Sequence, residues 1–292
     1  MTIAVYARCV KDNHPDYLKT LSTRLDHEGV QLIVHDSYFK FLKHDFQFNL
    51  DIPTFTSYAD LKGKVDCVIS LGGDGTILET LDLVRDSGIP ILGVNTGRLG
   101  FLANVFKEDF AQAIQLLLHK KYKIEQRELL QLDSETKYFG ELPFAVNEVT
   151  VIKKDTSAMI TIDVAVNGIF LNSYWADGLI VSTPTGSTAY SLSCGGPILL
   201  PDSKNFVVTP IAPHNLNMRP VVLSSENILN LKVRGRASEY LVSLDSRSTT
   251  IQTDAEINIK KADFALNLIN LEGQHFFSTL RSKLMWGADK RN

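Results

Sequence analysis

Cysteine is scarce in this sequence, and its three residues, Cys9, Cys67 and Cys194, lie far apart. No pair has the CxxC spacing of zinc or redox sites, and the seven histidines also lack the spacing of metal ligands. Cys9 and Cys67 fall in predicted buried strands, so we interpret them as small hydrophobic residues of a protein in a reducing compartment. The pattern argues against a disulfide framework and predicts no zinc site.

Strong net charge and long apolar runs are absent as well. The net charge of −3 gives no reason to expect nucleic acid or an acidic membrane as a partner. No apolar run approaches the length of a membrane span, and no basic segment followed by an apolar stretch opens the chain. We therefore expect a cytoplasmic protein without nucleic-acid or membrane partners.

Two common nucleotide-binding motifs are missing. The sequence contains neither GxxxxGK[ST], the loop of Walker A proteins, nor GxGxxG, the loop of dehydrogenases. A nucleotide site in this chain must therefore be built in another way.

One stretch, residues 65–78, carries the strongest signal of function. Val65 to Leu71 is an apolar run rich in β-branched residues, which predicts a buried strand. The turn Gly72-Gly73-Asp74-Gly75 follows, and apolar residues at helical spacing begin after Thr76, which we predict to be the helix N-cap. A strand, a glycine turn and a helix N-terminus together form a phosphate-binding device.

Asp74 is an unusual residue beside a phosphate. Its carboxylate would be expected either to hold Mg²⁺ or to accept a proton from an attacking hydroxyl. The alternative is a tight turn in which Asp only tolerates left-handed backbone angles. Three glycines around an acid at a strand–helix junction favour function.

The pattern changes near residue 123 and predicts two domains. Before it, Thr2–Ala7, a helix over 14–27 and Val30–His35 form a β-α-β start, which indicates a parallel sheet. A second glycine turn, Asn95–Leu102, follows another apolar strand, whereas residues 37–60 show no regular pattern. The only cation in the glycine turns is Arg98.

Strand-like alternation dominates the second part of the chain. Residues Ile160 to Val166 alternate, and Asn167-Gly168 is a strong hairpin signal. Helical spacing returns at Phe276. The predicted fold class is therefore α/β plus all-β: an N-terminal Rossmann-like parallel α/β domain (1–123), completed by a C-terminal helix (275–292), and a β-sandwich-like domain (124–274).

Residues 164–201 contain a single charged side chain, Asp177. A predicted strand runs into Thr183-Pro184-Thr185-Gly186-Ser187-Thr188, and a helix is predicted to open near Ser187. This neutral stretch, crowded with hydroxyls, suits the ribose and phosphates of a nucleotide. The alternative is a Ser/Thr-rich loop whose hydroxyls cap the backbone.

Two adjacent polar residues, Asn147 and Glu148, lie in the predicted strand 144–151. Because neighbouring side chains of a strand point to opposite faces, one of the two must face the interior or a pocket. The alternative is an edge strand with one polar face in water.

Taken together, these motifs resemble those of the bacterial NAD kinase family. The matching stretches are Gly72–Thr76, Asn95–Leu102, Asn147-Glu148 and 177–198, and the resemblance runs from the first strand to the last helix. The GGDG turn alone is also found in diacylglycerol kinases, sphingosine kinases and 6-phosphofructokinases. The other motifs separate NAD kinases from them.

The resemblance implies transfer of the ATP γ-phosphate to the 2′-hydroxyl of the adenosine ribose of NAD, which gives NADP. It also implies a requirement for Mg²⁺, an NAD-binding β-rich domain, a cleft between the domains, and a homodimer or homotetramer. Asp74 is implied to act as the base, and no metal ligand is assigned. The residues implied to bind nucleotides are Gly72, Gly73, Asp74, Gly75, Phe101, Asn147, Glu148, Trp175, Asp177, Thr188, Ala189, Tyr190, Ser191, Ala212 and Arg247. Several relatives have Gln at Arg247, and some have a basic residue at Trp175.

Two other functions stay open at this point. A lipid or sugar-phosphate kinase could carry the same glycine turn, but the sequence shows no amphipathic membrane helix and no Arg/Lys cluster for a phosphorylated acceptor. A non-catalytic NAD(P) sensor would bind nucleotides without turnover, and it would not need the base Asp74. The sequence does not decide between ATP and polyphosphate as donor, or between NAD and NADH as acceptor.

Overall fold

A computed structural model describes residues 1–10, 16–26, 28–97, 100–154, 159–253 and 255–287. The chain divides into two compact units. The first holds Met1–Gln126 and the residues from Leu266 onward, and the second holds Arg127–Ala265. No helix among the described residues has both the length and the apolar character that crossing a membrane requires.

Helices and short strands alternate in the first part of the chain. They are β1 (Thr2–Ala7), α1 (Asp16–Asp26), β2 (Gln31–His35), α2 (Asp36–Phe46), β3 (Thr54–Phe55), α3 (Tyr58–Leu61), β4 (Cys67–Gly72), α4 (Asp74–Val84), β5 (Ile91–Asn95), β6 (Val105–Phe106), a 3-10 turn (Lys107–Asp109), α5 (Phe110–Leu118) and β7 (Tyr122–Ser134).

Strands dominate the rest of the chain. The elements are β8 (Phe144–Ala145), β9 (Glu148–Lys153), β10 (Ile160–Val166), β11 (Ile169–Ala176), β12 (Gly178–Ser182), a 3-10 turn (Gly186–Thr188), α6 (Tyr190–Ser193), β13 (Asn205–Ile211), β14 (Val221–Ser224), β15 (Leu229–Arg234), β16 (Glu239–Leu244), β17 (Arg247–Gln252), β18 (Glu256–Leu271) and α7 (Phe276–Leu284).

The first unit is built on a parallel sheet in the order β5-β4-β1-β2-β3. The end of β18 joins β5 in parallel, with Leu268 opposite Ile91. All residues of β4 and β5 are buried, as expected for strands covered on both faces. Gly72 pairs with Asn95, so both glycine turns leave the same edge of the sheet. The predicted Rossmann-like parallel α/β architecture is confirmed, and this edge is where such sheets bind ligands.

The second unit contains two antiparallel sheets. One has the order β14-β13-β12-β9-β16-β17, and the other runs β11-β10-β15-β18. Alternating residues of both sheets share one core, including Val149, Val181, Ile162 and Leu231. Two antiparallel sheets around one core make a sandwich-like unit, as predicted.

Several local predictions differ from the structure. Residues 37–60, which were not assigned, contain α2, β3 and α3, because Tyr38, Phe39 and Leu42 form a buried helical face. Cys9 is exposed, since β1 ends at Ala7. Of the helix predicted over 14–27, the structure gives α1 at 16–26, and positions 14, 15 and 27 lie outside the described residues.

The boundaries of the two units also differ from the predicted domains. The first boundary falls after Gln126 rather than 123, and residues 266–274 group with the first unit. The strand β18 begins in the second unit, and its last six residues belong to the first. Of the predicted C-terminal helix, α7 covers Phe276–Leu284, and residues 288–292 lie outside the described part of the chain.

Candidate active site

The first glycine turn joins the carboxyl end of β4 to α4. Gly72 has a φ of +154°, and a Cβ at this position would lie 2.1 Å from Oγ1 of Thr76. Gly73 is the helix N-cap, and its carbonyl accepts the N–H of Thr76 at 2.9 Å. The predicted N-cap, Thr76, is therefore wrong. The N-cap lies three residues earlier than predicted, and Asp74 is in the first turn of the helix, where the helix dipole favours a negative charge.

The Asp74 carboxylate binds three consecutive backbone N–H groups at the end of the second glycine turn and directly after it. Oδ2 accepts the N–H of Phe101 at 2.7 Å, and Oδ1 accepts those of Leu102 and Ala103, both at 2.9 Å. Hydrogen bonds to a charged carboxylate are stronger than neutral ones. Asp74 therefore joins the two glycine turns and has a fixed orientation.

Gly100 makes this arrangement possible. A Cβ at this position would lie 1.8 Å from Oδ1 of Asp74, far inside van der Waals contact. Arg98, the cation predicted within the turns, lies outside the described residues. The Asn95 side chain accepts the N–H of Gly97 at 2.8 Å, which orders the start of the same turn.

Phe101 is held at both ends. Its N–H is bound by Asp74, and its ring lies 6.3 Å, centroid to centroid, from the ring of Phe276 on α7. The Lys283 ammonium, also on α7, lies 5.8 Å from the Phe101 ring centroid. The helix α7 therefore supports the second turn within the first unit.

Sequence reasoning missed a cation at the first turn, Arg8. Its Nη2 donates to the carbonyl of Gly75 at 3.3 Å and lies 2.6 Å from Glu79 on α4. The Tyr6 hydroxyl donates to the same carboxylate at 2.9 Å, and burial raises the pKa of Tyr6. Arg8 directly follows β1, the parallel neighbour of β4. Residues at the carboxyl ends of neighbouring parallel strands lie at the ligand-binding edge of the sheet, so this position could have indicated Arg8 from the sequence.

In the second unit, Asp245 binds the backbone around Asn147. Its carboxylate accepts the N–H of Val146, at 2.8 Å, and those of Asn147 and Glu148, at 2.8 and 3.1 Å. Val146 and Asn147 therefore belong to neither of the neighbouring strands. The predicted continuous strand 144–151 is interrupted, since β8 ends at Ala145 and β9 starts at Glu148. Sequence reasoning missed Asp245.

Glu148 is buried, with 8% of its surface exposed. Its Oε2 has no hydrogen-bond partner among the described residues. Burial and the nearby charge of Asp245 raise the pKa of Glu148 to about 8. A hydrogen bond from the Tyr190 backbone opposes this rise. A buried carboxyl with an unused oxygen suits a polar ligand group.

The Arg247 side chain is engaged within the protein. Its guanidinium donates to the carbonyl of Leu142 at 2.8 Å and also to the carbonyl of Phe144. Burial raises the pKa of Asp245, and the charge of Arg247 opposes that rise. Arg247 therefore orders the segment that leads to Asn147. The resemblance placed Arg247 among the nucleotide-binding residues and did not indicate this contact.

The hydroxyl-rich loop is held together from within. The Thr183 hydroxyl donates to the carbonyl of Val146 at 2.6 Å, and the Ser191 hydroxyl lies 2.9 Å from that of Thr209. The hydroxyls of Ser182, Ser187 and Thr188 donate to backbone carbonyls of the same loop. Each of these five hydroxyls has a partner within the protein, as the capping alternative predicts. They fix the loop backbone, as capping hydroxyls do.

This loop packs tightly on Asn147. A Cβ at Gly186 would lie 2.1 Å from the Asn147 carbonyl oxygen, and the Thr183 N–H donates to that oxygen at 2.9 Å. The predicted helix near Ser187 is instead a 3-10 turn followed by the four-residue α6. The structure thus brings Asn147 and Glu148 next to the loop and to Tyr190.

The remaining predicted residues lie around the end of β11. Asp177 is paired with Lys153 at 2.6 Å, a partner that the sequence did not reveal. The Trp175 ring is half exposed and lies 4.2 Å, centroid to centroid, from the ring of His214. Ala212 is exposed with a φ of +43°, a left-handed conformation that is uncommon for alanine and frequent at functional sites.

Tyr190 and Cys194, on and directly after α6, face this acidic neighbourhood. Tyr190 is 39% exposed, and burial together with the charges of Cys194, Glu148 and Asp177 raises its pKa. Burial and Glu148 also raise the pKa of the Cys194 thiol. The accessible Tyr190 ring can stack on a planar ligand. Thr188 and Ala189 directly precede it and are half buried.

The first unit also has an open cavity of about 440 Å³. Its lining residues are Asp16, Tyr17, Thr20, Thr96, Lys107, Glu108, Phe110 and Ala111. None of the predicted site residues is among them, although Thr96 belongs to the second glycine turn. No group of three or more His, Cys, Asp or Glu that could hold a metal ion occurs in the described part of the chain.

Comparison with known proteins defines the class first. The fold matches solved kinase structures: yeast NADH kinase complexed with NADH (TM-score 0.88, 22% identity, 100% of this chain and 89% of that chain) and an NAD kinase from Archaeoglobus fulgidus in complex with ATP (TM-score 0.75, 26% identity, 98% and 99%). At 22% identity, the similarity to yeast NADH kinase concerns the fold alone. Family models of the ATP-NAD kinase N-terminal and C-terminal domains match residues 20–122 and 146–271.

Full-length relatives agree with this class. NAD kinases of Flavobacterium johnsoniae and Flavobacterium psychrophilum are 46% and 47% identical, each over 100% of both chains, and that of Porphyromonas gingivalis is 42% identical over 99% of both. The chain belongs to the ATP-NAD kinase family.

Proposed function

We propose that this protein transfers the γ-phosphate of ATP to the 2′-hydroxyl of the adenosine ribose of NAD and so makes NADP. The observation that carries this proposal is Asp74, a carboxylate fixed by three N–H groups at the N-terminus of α4. The chain is 46% and 47% identical to two NAD kinases over their full length, which supports the same reaction. This similarity does not favour a lipid kinase, a sugar-phosphate kinase or a sensor.

In this proposal, Asp74 is the general base. A ribose hydroxyl is a weak nucleophile until a base accepts its proton. Oδ1 of Asp74 accepts two N–H bonds, whereas Oδ2 accepts one. A carboxylate oxygen has about two lone-pair sites, so Oδ2 is the atom that can receive the proton while the ribose oxygen forms its bond to the γ-phosphorus. The bond from that phosphorus to the β,γ-bridging oxygen breaks, and ADP leaves.

The glycine turn contributes positioning and charge. Backbone N–H groups at the start of α4, in Gly73 to Gly75, and the positive end of the helix dipole favour phosphate oxygens. Arg8, paired with Glu79 and in contact with Gly75, adds a guanidinium to this turn. Phosphoryl transfer depends mainly on such positioning and electrostatic stabilisation.

Recognition of NAD is assigned to the second unit. Asn147 and Glu148 offer hydrogen bonds, Asp177 an acid, Tyr190 and Trp175 rings for stacking, and Thr188 and Ala189 the loop surface. Because the Ser191 side chain is fully buried and Arg247 binds two carbonyls, we assign these two residues to shaping the site rather than to side-chain contacts with NAD. Ala212 and, in the first unit, Phe101 remain proposed nucleotide contacts.

A divalent cation, Mg²⁺, fits the reaction as a companion of ATP. Mg²⁺ is typically held by substrate phosphates, waters and one or two carboxylates, so the lack of a three-ligand group among the described residues is compatible with it. When bound, it neutralises charge on the phosphates.

We also propose that the protein forms a homodimer or homotetramer, because the exposed Ile169 and Phe170 offer apolar surface to a partner. The proposed location is the cytoplasm.

The test is NADP formation by the purified protein with ATP, Mg²⁺ and NAD. NADP should form only when all three are present, and Asp74→Ala should abolish its formation. Polyphosphate in place of ATP and NADH in place of NAD define the donor and acceptor. Nucleotide binding without turnover would support a sensor and refute the proposal. Phosphorylation of a lipid or sugar phosphate, with no NADP, would support the other kinases.

A further inference from the structure

Two carboxylates in this protein bind backbone in the same way. Asp74 accepts three consecutive N–H groups in the first unit, and Asp245 accepts three consecutive N–H groups in the second. Asp74 is assigned to the reaction, whereas nothing so far assigns a function to Asp245. Its three partners are Val146, Asn147 and Glu148, and two of them are proposed to bind NAD.

We propose that Asp245 is a positioning residue for NAD recognition: it fixes the backbone from which the side chains of Asn147 and Glu148 reach the ligand. This inference rests on the proposed function. Asp245 is not assigned any contact with NAD itself.

The backbone geometry supports the positioning role. Val146 and Asn147 lie between β8 and β9, and Glu148 is the first residue of β9. The N–H groups of all three residues are bound by the Asp245 carboxylate. The Asp245 N–H in turn donates to the carbonyl of Glu148 at 3.0 Å. The other side of the segment is closed by Gly186, where no side chain fits against Asn147. The backbone of Asn147 is therefore held in a single conformation, which fixes the position from which its side chain can reach a ligand.

Asp245 also adopts an unusual conformation. It lies in the turn between β16 and β17 with a φ of +53°. Asp and Asn tolerate this left-handed region, whereas most other residues do not. The turn presents the carboxylate to all three N–H groups. Left-handed backbone at a residue other than glycine is frequent at functional sites.

The charge argument concerns the pair Asp245 and Glu148. Burial raises the pKa of both carboxyl groups. Three N–H bonds and the charge of Arg247 oppose this rise at Asp245, whereas a single N–H, from Tyr190, opposes it at Glu148. Asp245 therefore keeps the negative charge, and Glu148 takes the proton. The other ionisable groups near Glu148 are Tyr190 and Cys194, and their own pKa values are raised. A neutral Glu148 can donate a hydrogen bond from its carboxyl group to an acceptor atom of NAD.

Asp245→Asn tests the positioning role and its electrostatic effect on Glu148. Asn keeps the shape and tolerates the left-handed turn, but its NH₂ would face one of the three N–H groups, and the negative charge is lost. We expect the Kd for NAD, measured by calorimetry, to rise about tenfold, which corresponds to one lost hydrogen bond. The KM for ATP should not change. Asp163→Asn, which removes a carboxylate bound to Ser173 and Arg234 in the same unit, is the matched control and should leave both constants unchanged.

The pH profile separates positioning from general loss of structure. Without the charge of Asp245, Glu148 loses its proton at lower pH, so the midpoint of the pH dependence of the NAD Kd should move down in Asp245→Asn. Glu148→Gln should abolish this dependence, and Asp245→Asn in that background should still weaken NAD binding without any midpoint shift. An unchanged midpoint, an unchanged Kd, or equal losses for NAD and ATP would overturn the proposal.

One measurement does not depend on the folding of the variant. In the wild-type protein without ligand, hydrogen–deuterium exchange of peptides covering residues 146–148 should be slow, and fast exchange at neutral pH would overturn the positioning role. Failure of the proposed function is visible separately. A protein that binds NAD but forms no NADP refutes the reaction and leaves the Asp245 test, which measures Kd, intact.

Discussion

Asp74→Asn is the most informative single substitution, because the structure separates two effects that it combines. Asn cannot accept the proton of the ribose hydroxyl, and loss of a general base typically costs about 10²–10⁴ in rate. Asn also carries an NH₂ group where Asp74 has an oxygen. If its remaining oxygen keeps the N–H groups of Leu102 and Ala103, the NH₂ faces the N–H of Phe101.

The second effect has a calculable size. An unsatisfied donor in a partly buried place costs about 1–3 kcal/mol. For a unit of roughly 150 residues this corresponds to a fall in Tm of about 2–12 °C. The turn preference of Asn alone, considered without the structure, would suggest no change in stability. We therefore expect a folded variant with a lower Tm and a much lower kcat.

The assay is kcat for NADP formation, at saturating ATP and NAD and well below the Tm, together with thermal unfolding. Asp60→Asn is a matched control, because Asp60 accepts the backbone N–H groups of Thr56 and Ser57 at 2.9 and 3.0 Å outside the glycine turns. It should leave kcat unchanged. A fall in kcat of less than about tenfold in Asp74→Asn would reject the base assignment, since it is smaller than a general-base contribution. A rise in KM with kcat unchanged would instead indicate that Asp74 contributes only to substrate binding.

Three further predictions test other parts of the structure. Gly100→Ala should lower both kcat and Tm, because the new Cβ would lie 1.8 Å from Oδ1 of Asp74, whereas Gly235→Ala, with its nearest atom at 3.5 Å, should do neither. The raised pKa of Glu148, about 8, means that the folded state holds a proton that the unfolded state releases near pH 4.5, so stability should fall as pH rises through this window. The slope is at most ~1.4 kcal/mol per pH unit, and it should be flatter in Glu148→Gln; equal unfolding profiles from pH 5 to 8 would contradict it. We further propose that the Trp175 ring stacks near the nicotinamide of NAD. Trp175→Arg should then shift kcat/KM towards NADH by about fivefold, because the oxidised nicotinamide is positive and two charges ~4 Å apart in water interact by ~1 kcal/mol. An unchanged NAD-to-NADH ratio would refute this placement.

The parts of the fold with strong local signals could be predicted. β1 was predicted at its observed bounds, and the hairpin at Asn167-Gly168 joins β10 to β11 with both residues at positive φ, +50° and +79°. These features depend on a few neighbouring residues, so the sequence contains all the information they need. The strand, glycine turn and helix at Asp74 are of the same kind, although the helix begins at Asp74 rather than at Thr76.

The helix α2 shows why other parts could not be predicted. Its sequence is rich in aromatic residues, which have modest helix propensity, and tertiary burial of Tyr38, Phe39 and Leu42 decides its conformation. The hydroxyl-rich loop is a second example. Hydroxyls that bind a ligand and hydroxyls that bind the backbone have the same sequence signature, and the structure shows that five of them bind within the protein.

The residues that sequence reasoning missed have one property in common: their partners are distant in the chain. Arg8 reaches Gly75 and Glu79 across 67 and 71 residues, and Asp245 reaches Val146 across 99. Nothing around Asp245 distinguishes it from an ordinary turn residue, just as nothing near Asp74 revealed that its carboxylate holds the second glycine turn. In both places an acid supplies the backbone hydrogen bonds that regular secondary structure would otherwise provide, and so allows irregular backbone to keep one conformation next to the residues proposed to bind substrate. Buried polar groups of this kind should therefore be sought by asking which backbone N–H groups lack a strand or helix partner, a question that only the folded chain can answer.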